Sequence, residues 1–215
     1  MLFRSGIAKN LRARGRFREA VRAYQAFLSM YPGHRLGDDA LLAVARMLRE
    51  NDLFREAAAA YDRMRLDYPK GDKTSHAYLE AAHCRECLGE WRRAEALYDL
   101  FLKTFPRYRR APEAKRKRGA LRKLIRYHDL VEEGALPDAK MADALYEIGR
   151  LLYKEMGNLQ KAAEIFGSVA DRFPQTYHGP DARYTAGVCL LREQNFVQAR
   201  ARGADEGSGR LKSSP

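Results

Sequence analysis

Residues 15–32 read GRFREAVRAYQAFLSMYP, and three later stretches rewrite the same phrase: NDLFREAAAAYDRMRLDYP (51–69), LGEWRRAEALYDLFLKTFP (88–106) and GNLQKAAEIFGSVADRFP (157–174). Phe17, Phe54 and Trp91 anchor the first three copies at intervals of 37 residues; Leu159 follows after 68 and Phe196 after a further 37. Three residues beyond each anchor stands an alanine: Ala20, Ala57, Ala94, Ala162 and Ala199. Seven beyond the first four stands a ring (Tyr24, Tyr61, Tyr98, Phe166), and fifteen beyond them a proline (Pro32, Pro69, Pro106, Pro174). Two residues before these anchors come Gly15, Asp52, Gly89 and Gly157.

Each recurring position has a mechanical reading. Phe17, Ala20, Tyr24, Phe27 and Leu28 follow the three-four spacing of one helix face. The alanine lets a second helix come close, and the ring fills the space beside it. Proline cannot continue a helix and drives its predecessor out of the helical region, so it closes the unit. Glycine permits the tight turn into this helix. Upstream of the anchors, DALLAVARMLRE, HAYLEAAHCRECL and ADALYEIGRLLYKEM each carry an apolar stripe. The unit is therefore helix, turn, helix. One such pair cannot bury both faces alone, so the expected fold is all-α, a right-handed α-solenoid of stacked antiparallel helix pairs.

These positions, with small residues Ala8, Ala45, Ala82 and Gly187 in the first helices, resemble the tetratricopeptide repeat (TPR) family over residues 1–200. The period departs from that family's 34 residues. The added length lies after the proline, in PGHRLGDDA, PKGDKTSHA and PQTYHGPDA. In the first of these, GDD (37–39) is expected to cap the following helix, since aspartate there accepts free amide hydrogens. Such links resemble bacterial envelope TPR proteins, of the outer-membrane-assembly lipoprotein and TolA-binding cell-division coordinator type. That resemblance implies a periplasmic or outer-membrane-peripheral location, or a cytoplasmic one if no export signal lies upstream.

The expected units are 1–37, 38–74, 75–111, a degenerate 112–137, 138–179 and a partial 180–202. In the degenerate unit a helix can start at Pro112, favoured in a first turn, and run to about Val131. A short second helix over 128–134 is the alternative. Gly203 stands where a ring is due, so 203–215 reads as a disordered or non-native tail, and the chain as a fragment of a longer array.

The chain carries 40 Lys and Arg against 28 Asp and Glu, a net charge of +12, unevenly spread. Residues 1–22 hold +6 and residues 103–126 hold +10, so the remainder is net negative. No apolar run is long enough to span a bilayer, and the opening MLFRSGIAKNLRARG lacks the apolar core of a signal peptide. Three cysteines argue against a disulfide framework.

The TPR resemblance implies a concave groove lined by the first helices. It places Lys9, Arg12, Asp39, Leu42, Arg46, Arg49, His76, Leu79, His83, Glu86, Arg116, Lys123, Glu147, Lys154 and Tyr184 along it. Such a mixture suits a protein or peptide partner of acidic or mixed charge, because arginine forks take carboxylates bidentately. A set of solvated helix faces is the plain alternative. A second reading is electrostatic. The patch Arg107, Arg109, Arg110, Lys115, Arg116, Lys117, Arg118, Arg122, Lys123 and Arg126 could meet nucleic acid or anionic lipid. Lys115 to Arg118 point in successive directions around a helix, however, which favours a solvated face over a nucleic-acid stripe. Direct membrane contact is expected only through lipidation upstream.

The motif HCREC (83–87) raises zinc, since His76, His83 and Cys87 share a helix face. Cys84 falls in the register of Met47, Leu152 and Cys189, a core slot, and structural zinc takes four ligands, so no metal and no cofactor is expected. The His83–Cys87 pair lacks a third orienting group legible in sequence, and no phosphate loop or GxSxG occurs. The expectation is a non-catalytic protein-interaction scaffold, with oligomeric state left open.

Overall fold

The computed structural model describes residues 16–71 and 73–209, with side chains as far as Gln194. Among the described residues every regular element is helical. In chain order these are α1 (Phe17–Met30), α2 (Gly37–Glu50), α3 (Phe54–Asp67), α4 (Thr74–Leu88), α5 (Trp91–Thr104), α6 (Ala111–Glu132), α7 (Asp138–Leu151), a π turn (Leu152–Met156), α8 (Leu159–Arg172) and α9 (Gly179–Gly209). The chain divides into two compact units, Met1–Arg118 and Gly119–Pro215, and the division falls within α6.

In the first unit each helix packs on its neighbours in sequence, α1 on α2, α2 on α3, α3 on α4 and α4 on α5. The repeated phrase forms α1, α3 and α5. Ala20, Ala57 and Ala94 are each 0 % exposed, and the rings beside them, Tyr24, Tyr61 and Tyr98, are 4 %, 0 % and 2 % exposed. The alanine removes side-chain bulk at the helix contact, and the ring fills the gap one turn on. Each helix pair reverses through one left-handed residue, Asp52 (φ 60°) or Gly89 (φ 75°). The next amide then bonds back over five residues, Leu53 N to Leu48 O (3.0 Å) and Glu90 N to Arg85 O (2.9 Å). This satisfies carbonyls that the helix end leaves without partners.

The links that lengthen the period are ordered. In the first, Tyr31 N bonds Phe27 O, His34 N bonds Tyr31 O and Gly37 N bonds His34 O, at 3.0, 3.3 and 2.7 Å. The same three-step ladder recurs at Tyr68–Gly71–Thr74, Phe105–Tyr108–Ala111 and Phe173–Thr176–Gly179. The three residues added to the period thus form one further hydrogen-bonded turn. The reading of GDD (37–39) as a cap needs correction. Helix α2 already begins at Gly37, Leu36 is its N-cap residue without a side-chain bond, and the Asp38 carboxylate accepts from Asp39 N at 2.8 Å.

The expected long helix over 112–131 appears as α6, and no separate helix forms over 128–134. In the second unit α7 packs on α8 and α8 on α9. Ala162 and Phe166 take the slot seen above, 0 % and 1 % exposed. One residue is out of step. The small residue facing the ring stands nine before the anchor at Ala45 and Ala82 but ten before it at Gly149. The π turn absorbs the extra residue, with Gly157 N bonding Leu152 O. The core position seven before the anchor is thereby restored. Met47, Cys84, Leu152 and Cys189 are all buried. Glycine is needed at 149 because a Cβ there would lie 2.8 Å from the Phe166 ring.

The last element departs from expectation. The repeat pattern calls for a turn before Phe196 and a disordered tail from 203, yet α9 continues as one helix to Gly209. Where other units place a left-handed residue, this one has Gln194, and nothing reverses the chain. Residues 210–215, and the opening segment with Ala8, Lys9 and Arg12, lie outside the described residues.

Gly157 has φ 67° and open space around a notional Cβ, so Gly157→Ala isolates the backbone preference of the turn. We expect a loss of about 1–2 kcal/mol in urea unfolding. An unchanged midpoint would show that this turn does not rely on the left-handed conformation.

Candidate functional site

The first helices of the first unit, α2 and α4, together with the start of α6, carry most of the residues expected to face a groove. The structure links them by side chains. Arg46 Nη2 lies 3.4 Å from His76 Nε2, Arg49 Nη1 lies 3.3 Å from Glu80 Oε2, and Arg110 Nη1 lies 3.4 Å from Glu80 Oε1. Arg110 also holds Glu113 through two bonds of 2.9 and 3.1 Å. Lys117 Nζ donates to Glu86 Oε2 at 2.7 Å, and His83 Nδ1 lies 3.3 Å from the same oxygen. Glu80 and Glu86 are the centres of the two clusters, only 8 % and 3 % exposed. Buried carboxylates of this kind require a cationic partner, and here each has one from a neighbouring repeat.

One of these ties, Arg110 to Glu80, follows a rule that the sequence does not show by spacing. The fourth residue after the closing proline is Lys73, Arg110 or His178, and each reaches back to an acid on the preceding first helix. Lys73 pairs with Asp39, Arg110 with Glu80, and His178 with Asp143 at 3.3 Å. The available signal is a basic residue at one link position in three units. Its partners fall at different registers, so spacing alone does not show them.

Several expected groove residues are inaccessible. Leu42 and Leu79 are 7 % and 4 % exposed and belong to the core. They lie on the side of the first helix that packs inward, so the groove assignment does not hold for them. Glu86 is likewise internal. Asp39, Arg46, Arg49, His76 and His83 stay exposed or half-exposed. In the second unit Glu147 is paired with Arg150 at 2.6 Å, Lys123 and Lys154 are exposed, and Tyr184 is 76 % exposed. Lys9 and Arg12 lie outside the described residues.

The basic patch is partly neutralised. Arg110 and Lys117 hold Glu113, Glu80 and Glu86, and Arg118 Nη1 donates to Asp99 at 2.7 Å. Arg107, Arg109, Lys115, Arg116, Arg122, Lys123 and Arg126 are exposed. Among the described residues no three His, Cys, Asp or Glu side chains converge as a metal-binding group. Cys84 is fully buried, and burial pushes its thiol up to about 12.

Burial alters the titrating groups. It would raise the Glu86 carboxyl, but the hydrogen bond from His83 and the Lys117 ammonium more than offset it and hold the group below the usual range. His83 is pushed up to about 9, first by its hydrogen bond with Cys87 and then by that with Glu86. His76 is lowered, chiefly by burial, with the Arg46, Arg110 and Arg49 cations adding to it. A neutral His76 can accept the proton that Arg46 offers at Nε2. The Tyr98 hydroxyl is raised by burial and by its hydrogen bond to Glu86.

Residues 6–71 and residues 143–176 each match a tetratricopeptide-repeat model. No curated protein matches the chain. Similar solved structures include a putative kinesin light chain with nearly identical TPR-like repeats from Podosopora anserina. It is 13% identical, with 98% of this chain and 96% of that one covered and a TM-score of 0.39. Another is BtubC (BKLC) from P. vanneervenii, 14% identical, with 95% and 92% covered and a TM-score of 0.40. The two matched stretches thus have the tetratricopeptide-repeat pattern, and they lie among helix pairs of an all-α fold.

A pH consequence follows from the Glu86 cluster. The raised His83 contributes stability below its ordinary 6.5, and that contribution is lost as pH rises through about 9. The lowered Glu86 contributes above the ordinary carboxylate value and is lost as pH falls through its depressed one. Stability should thus decline on both sides of a plateau between about 4.5 and 6.5. Titration of the His83 ring by NMR should show a midpoint near 9; a midpoint at the ordinary histidine value would refute the cluster.

Proposed function

We propose that the chain is a non-catalytic scaffold whose first-helix face, in the first unit, receives an acidic or mixed-charge protein or peptide. Tetratricopeptide repeats generally mediate protein–protein interaction, and two stretches of the chain match them. The observation that carries the reading is the uneven pairing of charge on this face. Arg49, Arg110 and Lys117 are each matched to a carboxylate of the chain. The side-chain contact described for Arg46 is instead with the imidazole of His76. A guanidinium without a carboxylate is a ready fork for one supplied by a partner.

The narrower reading is a scaffold in bacterial envelope assembly, in the periplasm or at the outer-membrane periphery. That part rests on the resemblance of the links and is checked by fractionating cells that express the native protein.

Arg46→Glu is the direct test, with acidic and basic peptide arrays as probes. A double change of Arg46 and Arg49 is unsuitable, because Arg49→Glu would set a second carboxylate against buried Glu80. Wild type should retain carboxylate-rich peptides, and Arg46→Glu should weaken them about tenfold or more with helical content unchanged. Equal binding by the variant would contradict the assignment.

A further inference from the structure

The motif HCREC gains its missing member in the folded protein. His83, Glu86 and Cys87 lie at i, i+3 and i+4 on α4, so one helix face presents an imidazole, a carboxylate and a thiol. Cys87 Sγ is 3.9 Å from His83 Nε2, and His83 Nδ1 is 3.3 Å from Glu86 Oε2. Glu86 is itself fixed by Lys117 Nζ at 2.7 Å. The order is nucleophile, imidazole, anchored carboxylate, with each partner positioned by the next. That is the arrangement by which a weak nucleophile is activated.

Access separates this thiol from the others. Cys87 is half-exposed, whereas Cys84 and Cys189 are buried. Cys84 occupies a core slot one turn away and serves as a small apolar residue.

We propose that Cys87 is a reactive thiol, activated by its contact with His83, that exchanges with low-molecular-weight disulfides. The raised His83, whose first cause is its hydrogen bond with Cys87, agrees with this contact. Its two ring nitrogens face the Cys87 sulfur and Glu86. The other groups bearing on the cluster are Lys117 from α6 and the Tyr98 hydroxyl from α5, both on Glu86.

The reaction balances without a further reagent. The Cys87 sulfur attacks one sulfur of the disulfide, a new S–S bond forms, and the old S–S bond breaks. Cys87 is oxidised to a mixed disulfide. The second sulfur leaves reduced, as a thiolate that takes a proton from solvent. The adduct stands on the same helix as His76 and His83, so it would add bulk to the proposed partner face.

The test treats the full, reduced chain with oxidised glutathione from about pH 6 to about pH 9, read by intact mass and peptide mapping. One glutathionyl group should appear at Cys87, ahead of Cys84 and Cys189. An ordinary thiol is only about 1% ionised at about pH 6.5, so the wild-type rate there should exceed that of a free thiol. His83→Gln should lower it about tenfold or more and give an ordinary thiol's profile. If His83→Gln does not fold by circular dichroism, the wild-type profile decides. A rate that climbs through about pH 8.5 as a free thiol's does, equal rates in His83→Gln, or no preference for Cys87 would each overturn the proposal. None of these outcomes depends on partner binding.

Discussion

A ring buried against an alanine is the contact on which the rest of the structure depends. Tyr24, Tyr61, Tyr98 and Phe166 each occupy one such slot, beside Ala20, Ala57, Ala94 and Ala162. Burying a side chain of this size accounts for several kcal/mol. The alanine makes that burial possible, because any larger group would hold the helices apart. Everything else is arranged to keep this pair in register: the left-handed turn before the anchor, the proline after the ring, and the laddered link into the next first helix. The π turn at Leu152–Met156 shows how firmly register is held, since the chain distorts a helix before it shifts the slot.

Electrostatics act at a second level. The apolar slots stack the helices, and charges then tie successive repeats across their first helices. Glu80 and Glu86 are expensive to bury, and each is stabilised by a cation from a neighbouring repeat, Arg49 or Lys117. Removing one member leaves the other unmatched in a poorly solvated place. The two clusters therefore favour one alignment of neighbouring repeats, and they also consume charge that the sequence presents as available. Arg110, Lys117 and Arg118, within the basic stretch 103–126, are committed to carboxylates in this way.

Legibility in the sequence followed the range of the interaction. The helix pairs, the buried rings and the core slot of Cys84 can be read from spacing, because a helical period and a proline act within a few residues. The ties of Arg49 to Glu80 and Lys117 to Glu86 cannot, because they cross about thirty positions and depend on side-chain reach. Family resemblance places Leu42 and Leu79 in a groove, yet both are buried in the core. The end of the array misleads for a different reason. Phe196 and Ala199 keep the pattern, but Gln194 does not supply the reversal that the pattern assumes. Glu86, which completes the His83–Cys87 pair, is visible in the sequence as a residue but not as a neighbour.

The slot itself can be tested directly. Tyr61 is fully buried, as is Ala57, on a helix that packs on both α2 and α4. Chemical denaturation of Tyr61→Ala, followed by circular dichroism, should show a loss of about 3–5 kcal/mol with helical content retained at zero denaturant. A loss below about 1 kcal/mol would mean that the ring is not what holds the repeats together, and the account given for the fold would fall with it.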